Sequence, residues 1–236
     1  MLFDAEGLAS FYEEPMGQVT RRLLLKQLRL VWPDVRGLRV LGYGFAVPYL
    51  RPLLGEAERA IAVMPAQHGA IAWPDGQPLA ALCEEEALPF PDAMFDRILV
   101  IHGLETAESA RLFLRQIWRV LAPGGRLLLV APNRTSLWAQ VERSPFAQGS
   151  PFTRSQLDHL LRQGLFTAER WETGLHLPPL RSRRMIGSGA GWERVGGRLW
   201  PALAGVHLVD ATKSLYAVVP PAKGERARAR LAAIKA

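Results

Sequence analysis

The segment from Asp96 to Ala131 constrains the fold of this chain more than any other. Asp96-Arg97-Ile98-Leu99-Val100-Ile101 is a near-continuous apolar run of the kind carried by a strand covered on both faces. Residues 105–121 follow with apolar side chains at Ala110, Leu112, Phe113, Ile117, Val120 and Leu121, the spacing of a helix with one buried side. Ala122-Pro123-Gly124-Gly125 stops that helix, and 126–131 is a second apolar strand. Two such strands joined by a helix require a mainly parallel sheet with helices packed on both faces.

The same alternation extends upstream and downstream. Pro15 opens an amphipathic helix carrying Val19, Leu23, Leu24, Leu28 and Val31, which stops at Trp32-Pro33. Residues 38–41 read as a strand running into Gly42-Tyr43-Gly44, and a helix is expected over 47–54. Residues 59–64 form a second strand ended by Pro65, and 79–83 a weaker third. Farther on, 153–163 reads as a helix behind a Thr cap and 167–173 as a strand; either 206–211 or 214–219 is the last strand. The expected organisation is a helical segment at 1–36, a core at 37–176, an insertion or cap at 177–203, closing strands at 204–220 and a basic tail at 221–236.

Bulk properties narrow the class. With 236 residues and 49% hydrophobic side chains, the chain suits one domain with a modest cap. Met1-Leu2-Phe3-Asp4-Ala5-Glu6 lacks the basic start and apolar stretch of a secretory leader, and no apolar run approaches the roughly 18 residues of a membrane helix. A cytoplasmic location is expected. The single cysteine, Cys83, excludes an intramolecular disulfide and a Cys-based zinc cluster. The net charge of +7 belongs to the end of the chain, where residues 181–236 hold 11 Lys and Arg against 3 Asp and Glu. Such asymmetry suits either an anionic partner such as nucleic acid or a solvated tail, and the scarcity of aromatic residues between 223 and 230 favours the tail.

Three stretches together resemble the class I S-adenosylmethionine-dependent methyltransferases, in particular the subgroup labelled type 11. Ala87-Leu88-Pro89-Phe90-Pro91-Asp92-Ala93-Met94-Phe95-Asp96 resembles the family's segment leading into strand four. Ile117-Trp118-Arg119-Val120-Leu121-Ala122-Pro123-Gly124-Gly125-Arg126-Leu127 resembles its turn before strand five, and Gly37-Leu38-Arg39-Val40-Leu41 its lead-in to the cofactor loop. The resemblance covers roughly residues 15 to 175. It implies a Rossmann-like, mainly parallel seven-stranded sheet that binds S-adenosylmethionine beyond the carboxyl ends of its strands.

On that resemblance the cofactor contacts fall at Gly42, Tyr43, Gly44 and Phe45 in the first loop, Met64 after strand two, Glu84 and Glu85 after strand three, and His102 after strand four. Several depart from the family pattern. Gly42 stands where an acid is usual, while Ala46 and Pro48 replace glycines. Met64 takes the place of the carboxylate that accepts from both ribose hydroxyls, a task beyond a thioether. Glu84 or Glu85 retains an acceptor for the adenine amino group. His102 is the candidate general base, imidazole being the side chain most often used to move a proton at neutral pH. Asn133, at the mouth of strand five, and Trp192, in the cap, are candidate substrate contacts. No metal-ligand spacing is visible.

The expected activity is methyl transfer to a small molecule. A catalytically inactive binding or regulatory protein on the same fold is the main alternative, supported by the altered loop, and an RNA acceptor is a further one. A nicotinamide-dependent oxidoreductase is disfavoured because its Gly-x-Gly-x-x-Gly turn is missing.

Overall fold

The computed structural model describes residues 4–74, 79–179, 187 and 189–214. The chain opens with a helix that its sequence does not announce, α1 (Ala5–Glu13), capped by Asp4, whose carboxylate accepts from the Gly7 amide at 2.8 Å. Glu14 is extended, and Pro15, with its preset φ and missing amide proton, starts α2 (Pro15–Val31). The sheet elements then alternate with helices: β1 (Arg39–Gly44), α3 (Val47–Leu50), β2 (Arg59–Pro65), β3 (Ala80–Cys83), β4 (Phe95–Ile101), α4 (Ala110–Val120) and β5 (Leu121–Pro132). After these come α5 (Arg154–Gln163), β6 (Phe166–Gly174), α6 (Gly189–Leu199) and β7 (Val206–Lys213).

The seven strands lie in the order β3-β2-β1-β4-β5-β7-β6. Neighbours from β3 through β5 pair in parallel, and β7 runs antiparallel to both β5 and β6. Alternation along each strand divides the interior into two layers. Val40, Met64, Leu99, Leu128 and Val130 face α1, α2 and α3, while Leu41, Tyr43, Val100, Leu127 and Leu129 face α4 and α5. The end of the sheet at which the parallel strands begin is tied by charge: the Asp96 carboxylate accepts from the Arg39 amide at 2.9 Å, and the buried Asp210 on β7 pairs with Arg126 on β5.

Four expectations change. The helix expected over 47–54 remains α-helical only to Leu50 and tightens into a 3-10 turn at Arg51–Leu53, because Pro52 has no amide proton to continue the ladder. The helix expected from 105 starts at Ala110, where the Ser109 hydroxyl caps the Leu112 amide, leaving 105–108 in a loop. Of the two places for the last strand, 206–211 is correct and extends to Lys213; residues 215–219 lie outside the described residues, as does the tail at 221–236. The cap at 177–203 contains α6 and a 3-10 turn at Pro201–Leu203, with 180–186 and 188 outside the described residues.

Candidate active site at the rim of the sheet

In an open parallel sheet, ligands bind beyond the carboxyl ends of the strands where the order reverses, here between β1 and β4. Two glycines shape that point. Gly44 ends β1 at φ +81°, and a Cβ there would lie 2.2 Å from the Ile101 carbonyl oxygen, so only glycine lets β1 pass the end of β4 this closely. Gly42 keeps ordinary strand geometry; its missing Cβ makes room for Leu50 and Ala46 as α3 folds back over the strand.

The loop then closes on itself. The Phe45 amide donates to the Ile101 carbonyl at 2.9 Å, and the Phe45 ring is buried in the α1 layer. Tyr43 points to the other layer, where its ring lies 4.5 Å from Phe113 and burial holds its phenol pKa far above the ordinary value. Met64 is buried in the same layer as Phe45 and Trp73.

Above Phe45 sits a residue that the sequence does not mark, Tyr12 of α1. Its ring stacks on Phe45 at 5.8 Å and 11°, and its hydroxyl lies 2.8 Å from Nε2 of His102. The Tyr49 hydroxyl donates to the same oxygen at 3.0 Å. His102 itself is in the left-handed region, φ +53°, a strained conformation for a residue with a side chain. Its Nδ1 lies 3.5 Å from Glu105 Oε1, and its ring packs 4.7 Å from Phe146. Phe146 in turn meets Trp138 edge-on. Burial raises the phenol pKa of both Tyr12 and Tyr49, so both remain hydrogen-bonding hydroxyls at neutral pH.

This polar chain has capacity left over. Glu105 is buried with Oε2 lacking a partner among the described residues, and so is His68 Nε2, in the turn after β2. Burial lowers the His68 pKa while the Glu105 carboxylate acts to raise it, which places the two groups within each other's field. Gln67 bridges the loops, donating to Glu85 at 2.7 Å and to the Thr106 carbonyl at 3.3 Å.

The adenine side differs in character. Glu84 is exposed, whereas Glu85 is buried, accepts from Gln67 and from the Glu108 amide at 2.9 Å, and has its pKa raised by that burial. Both line a cavity of about 320 Å³ with Ala66, Gln67, Glu86 and Glu108. Neither expected substrate contact reaches the Tyr12 cluster by any recorded contact. The Asn133 amide donates to the Ala202 and Ala204 carbonyls at 2.9 and 2.8 Å, fastening the end of β5 to the segment before β7. Trp192 packs beside Trp200 at 6.5 Å and against the α1 and α2 layer. The structure therefore brings together Phe45, Met64 and His102, and adds Tyr12, Tyr49, Glu105, His68 and Phe146. Only His68 and His102 carry a chemical signal in the sequence; Tyr12 gains its place solely through the packing of α1.

The profile of the methyltransferase-domain family matches residues 41–129, the segment running from β1 into β5. Over that segment the chain is similar to the methyltransferase domain. Among curated relatives, a ubiquinone/menaquinone biosynthesis C-methyltransferase of Bordetella avium is 43% identical over 56 residues, covering 24% of this chain and 22% of that one. The chain thus spans about a fifth of the length of the curated relatives it matches. Among solved structures, a SAM-dependent methyltransferase from Archaeoglobus fulgidus superposes with a TM-score of 0.59 at 19% identity, covering 82% of this chain and 94% of that one. An S-adenosylmethionine-dependent methyltransferase from Mesorhizobium loti superposes at 0.56 with 18% identity, covering 79% and 95%. At these identities the structures attest the fold.

The rim as it stands fits an adenosyl ligand on one side only. The cavity beside Glu84 and Glu85 has room for a base. The sulfonium side does not fit: Phe45 and Tyr12 are stacked over the end of β1, the loop amide of Phe45 is bonded to β4, and Met64 offers no acceptor for a ribose.

Proposed function

We propose that this chain transfers a methyl group from S-adenosylmethionine to a small-molecule acceptor, the Tyr12–Phe45 stack parting to admit the cofactor. The supporting observation is the family match across 41–129 together with the open cavity that Glu84 and Glu85 line at the adenine side of the rim. The curated relatives' names supply the acceptor class by analogy, since they act in quinone biosynthesis. Within this chain the acceptor side is the group of Tyr49, His102 and Glu105 around the Tyr12 hydroxyl, a set able to hold a polar group and take up a proton.

A second reading, a methyltransferase-fold protein that binds a partner without methylating, is supported by Met64 at the ribose position and by the Tyr12–Phe45 stack. Loss of a charged acceptor costs about 1.5 to 3 kcal/mol of binding per bond. An RNA acceptor has weaker support, because the sequence shows no recognisable RNA-binding module beside its basic residues.

Calorimetric titration of the full chain with S-adenosylmethionine and S-adenosylhomocysteine separates the first two. The methyltransferase reading expects binding in the micromolar to submillimolar range and a rise in melting temperature. No heat and no thermal stabilisation at millimolar ligand would remove it and leave the binding protein.

A further inference from the structure

We propose that the Tyr12 phenol is an intramolecular stand-in for a ligand, and that Phe45, Tyr49, His102 and Phe146 form a binding site for a planar, hydroxyl-bearing aromatic molecule that α1 vacates. The inference deepens the methyltransferase reading by naming the acceptor class, and it rests on that reading for the chemistry.

A buried tyrosine with a satisfied hydroxyl is ordinarily part of a core, and three observations set Tyr12 apart. The first is position. Its ring lies over the end of β1, beside the end of β4, at the reversal of strand order where a sheet of this kind receives ligands. The second is excess polar capacity. One phenol needs one or two partners, yet the site gathers His102 in a strained backbone conformation, the Tyr49 hydroxyl, and a buried Glu105 whose Oε2 is unmatched among the described residues. An unmatched buried polar atom is costly to leave without a partner, a penalty that a ligand's own polar groups would relieve.

The third is the attachment of α1. Nine residues are too few to hold a helix without tertiary packing, and α1 buries four side chains, Ala5, Leu8, Phe11 and Tyr12, with Ala9 packed partly against the same layer. The extended residue Glu14 and the following Pro15 separate it from α2, so it can leave without unravelling α2.

The geometry also specifies what replaces the phenol. A flat ring suits the face of Phe45, and the tilted Phe146 ring packs 4.7 Å from His102. A hydroxyl at the position of the Tyr12 oxygen would accept from Tyr49 and donate to His102 Nε2, with Nδ1 turned towards Glu105. An apolar ring without a donor leaves His102 and Tyr49 unsatisfied, so the site discriminates by the hydroxyl.

The test uses the full chain, with 4-methylphenol as probe and 4-methylanisole as the matched compound that cannot donate. Hydrogen exchange of the α1 amides is read with and without each compound, beside calorimetric affinities. We expect 4-methylphenol to accelerate exchange over 5–13 at least tenfold, and His102→Gln and Tyr49→Phe each to weaken its binding at least fivefold. Equal binding of 4-methylanisole, or phenol binding that leaves α1 exchange unchanged, would overturn the proposal. So would release of α1 by S-adenosylhomocysteine but not by the phenol, since Tyr12 would then occupy the nucleoside's place. Binding of S-adenosylhomocysteine without any phenol effect removes this inference and keeps the methyltransferase reading. The reverse result keeps the aromatic site and removes methyl transfer.

Discussion

Gly44 and Ile101 meet so closely that a single added carbon on the glycine would stand 2.2 Å from the isoleucine carbonyl oxygen. The contact joins the ends of β1 and β4, and the backbone of Gly44 is at φ +81°, where a side chain is strained as well as crowded. Gly44→Ala is therefore expected to destabilise the chain by about 2 kcal/mol or more, lowering the melting temperature by roughly 4 to 8 °C. Gly55→Ala, where a Cβ meets nothing within 4 Å, is the control and should remain within about 0.5 kcal/mol of the parent. Equal melting temperatures for the two variants would contradict the close approach.

Arg119 holds the strand-four lead-in against α4. Its guanidinium donates to the Leu88 and Phe90 carbonyls, both at 2.7 Å, and pairs with Asp92 at 2.8 Å. A planar fork reaches both carbonyls at once and an ammonium does not. Arg119→Ala should cost about 2 to 3 kcal/mol in urea unfolding, and Arg119→Lys should recover less than half of it. Full recovery by lysine would show that charge alone matters there.

The residues behind both features lie in stretches that the sequence marks, and the reason is local. The strands β1, β4 and β5 are buried on both faces and so are written as unbroken apolar runs, while Arg119 and Gly124-Gly125 belong to a compact motif. Gly44 was legible as the glycine that the first loop keeps while Ala46 and Pro48 replace others. What was not legible is Tyr12. Ala5–Glu13 has a glycine at its third position and only four buried side chains, too weak a pattern to read as a helix, and its hydroxyl partner lies 90 residues away. Met64 lies at the end of β2 and Phe45 follows β1, and both are buried in one layer with α1. Their mutual burial with a helix from the far end of the chain is a tertiary fact that spacing does not encode.

Two buried histidines make stability depend on pH. Burial lowers the pKa of His68 and of His207 below the ordinary 6.5. Between that value and the folded ones the unfolded chain binds more protons, so their contribution is full above about pH 6.5 and is lost as the pH falls through the folded values. Glu85, whose pKa is raised by burial, acts in the opposite sense: its contribution is full below about 4.5 and is lost as the pH rises through its folded value. The melting temperature of the parent should fall between pH 7 and pH 5, and His207→Phe should flatten that fall. An identical slope in the variant would mean that His207 titrates normally.

Trp138 links the rim to the segment before α6, donating its indole N–H to the Leu177 carbonyl at 2.7 Å while its ring packs against Phe146. Trp138→Phe retains most of the ring and strands a buried carbonyl, which should cost about 1 to 3 kcal/mol. Chemical unfolding followed by far-ultraviolet circular dichroism measures this directly. A loss below about 0.5 kcal/mol would show that water satisfies Leu177 without help.

The reversed direction of β7 has a consequence for the end of the chain. The strand starts beside Pro132, near the ligand-bearing edge, and finishes with Lys213 opposite Phe166, where β6 begins. The polypeptide is therefore handed on to its last, arginine-rich stretch from the pole remote from Tyr12 and His102. Whatever those cationic residues engage, their tether starts on the side of the molecule away from the chemistry, so a polyanion held by the tail and a small molecule held at the rim would not by necessity compete.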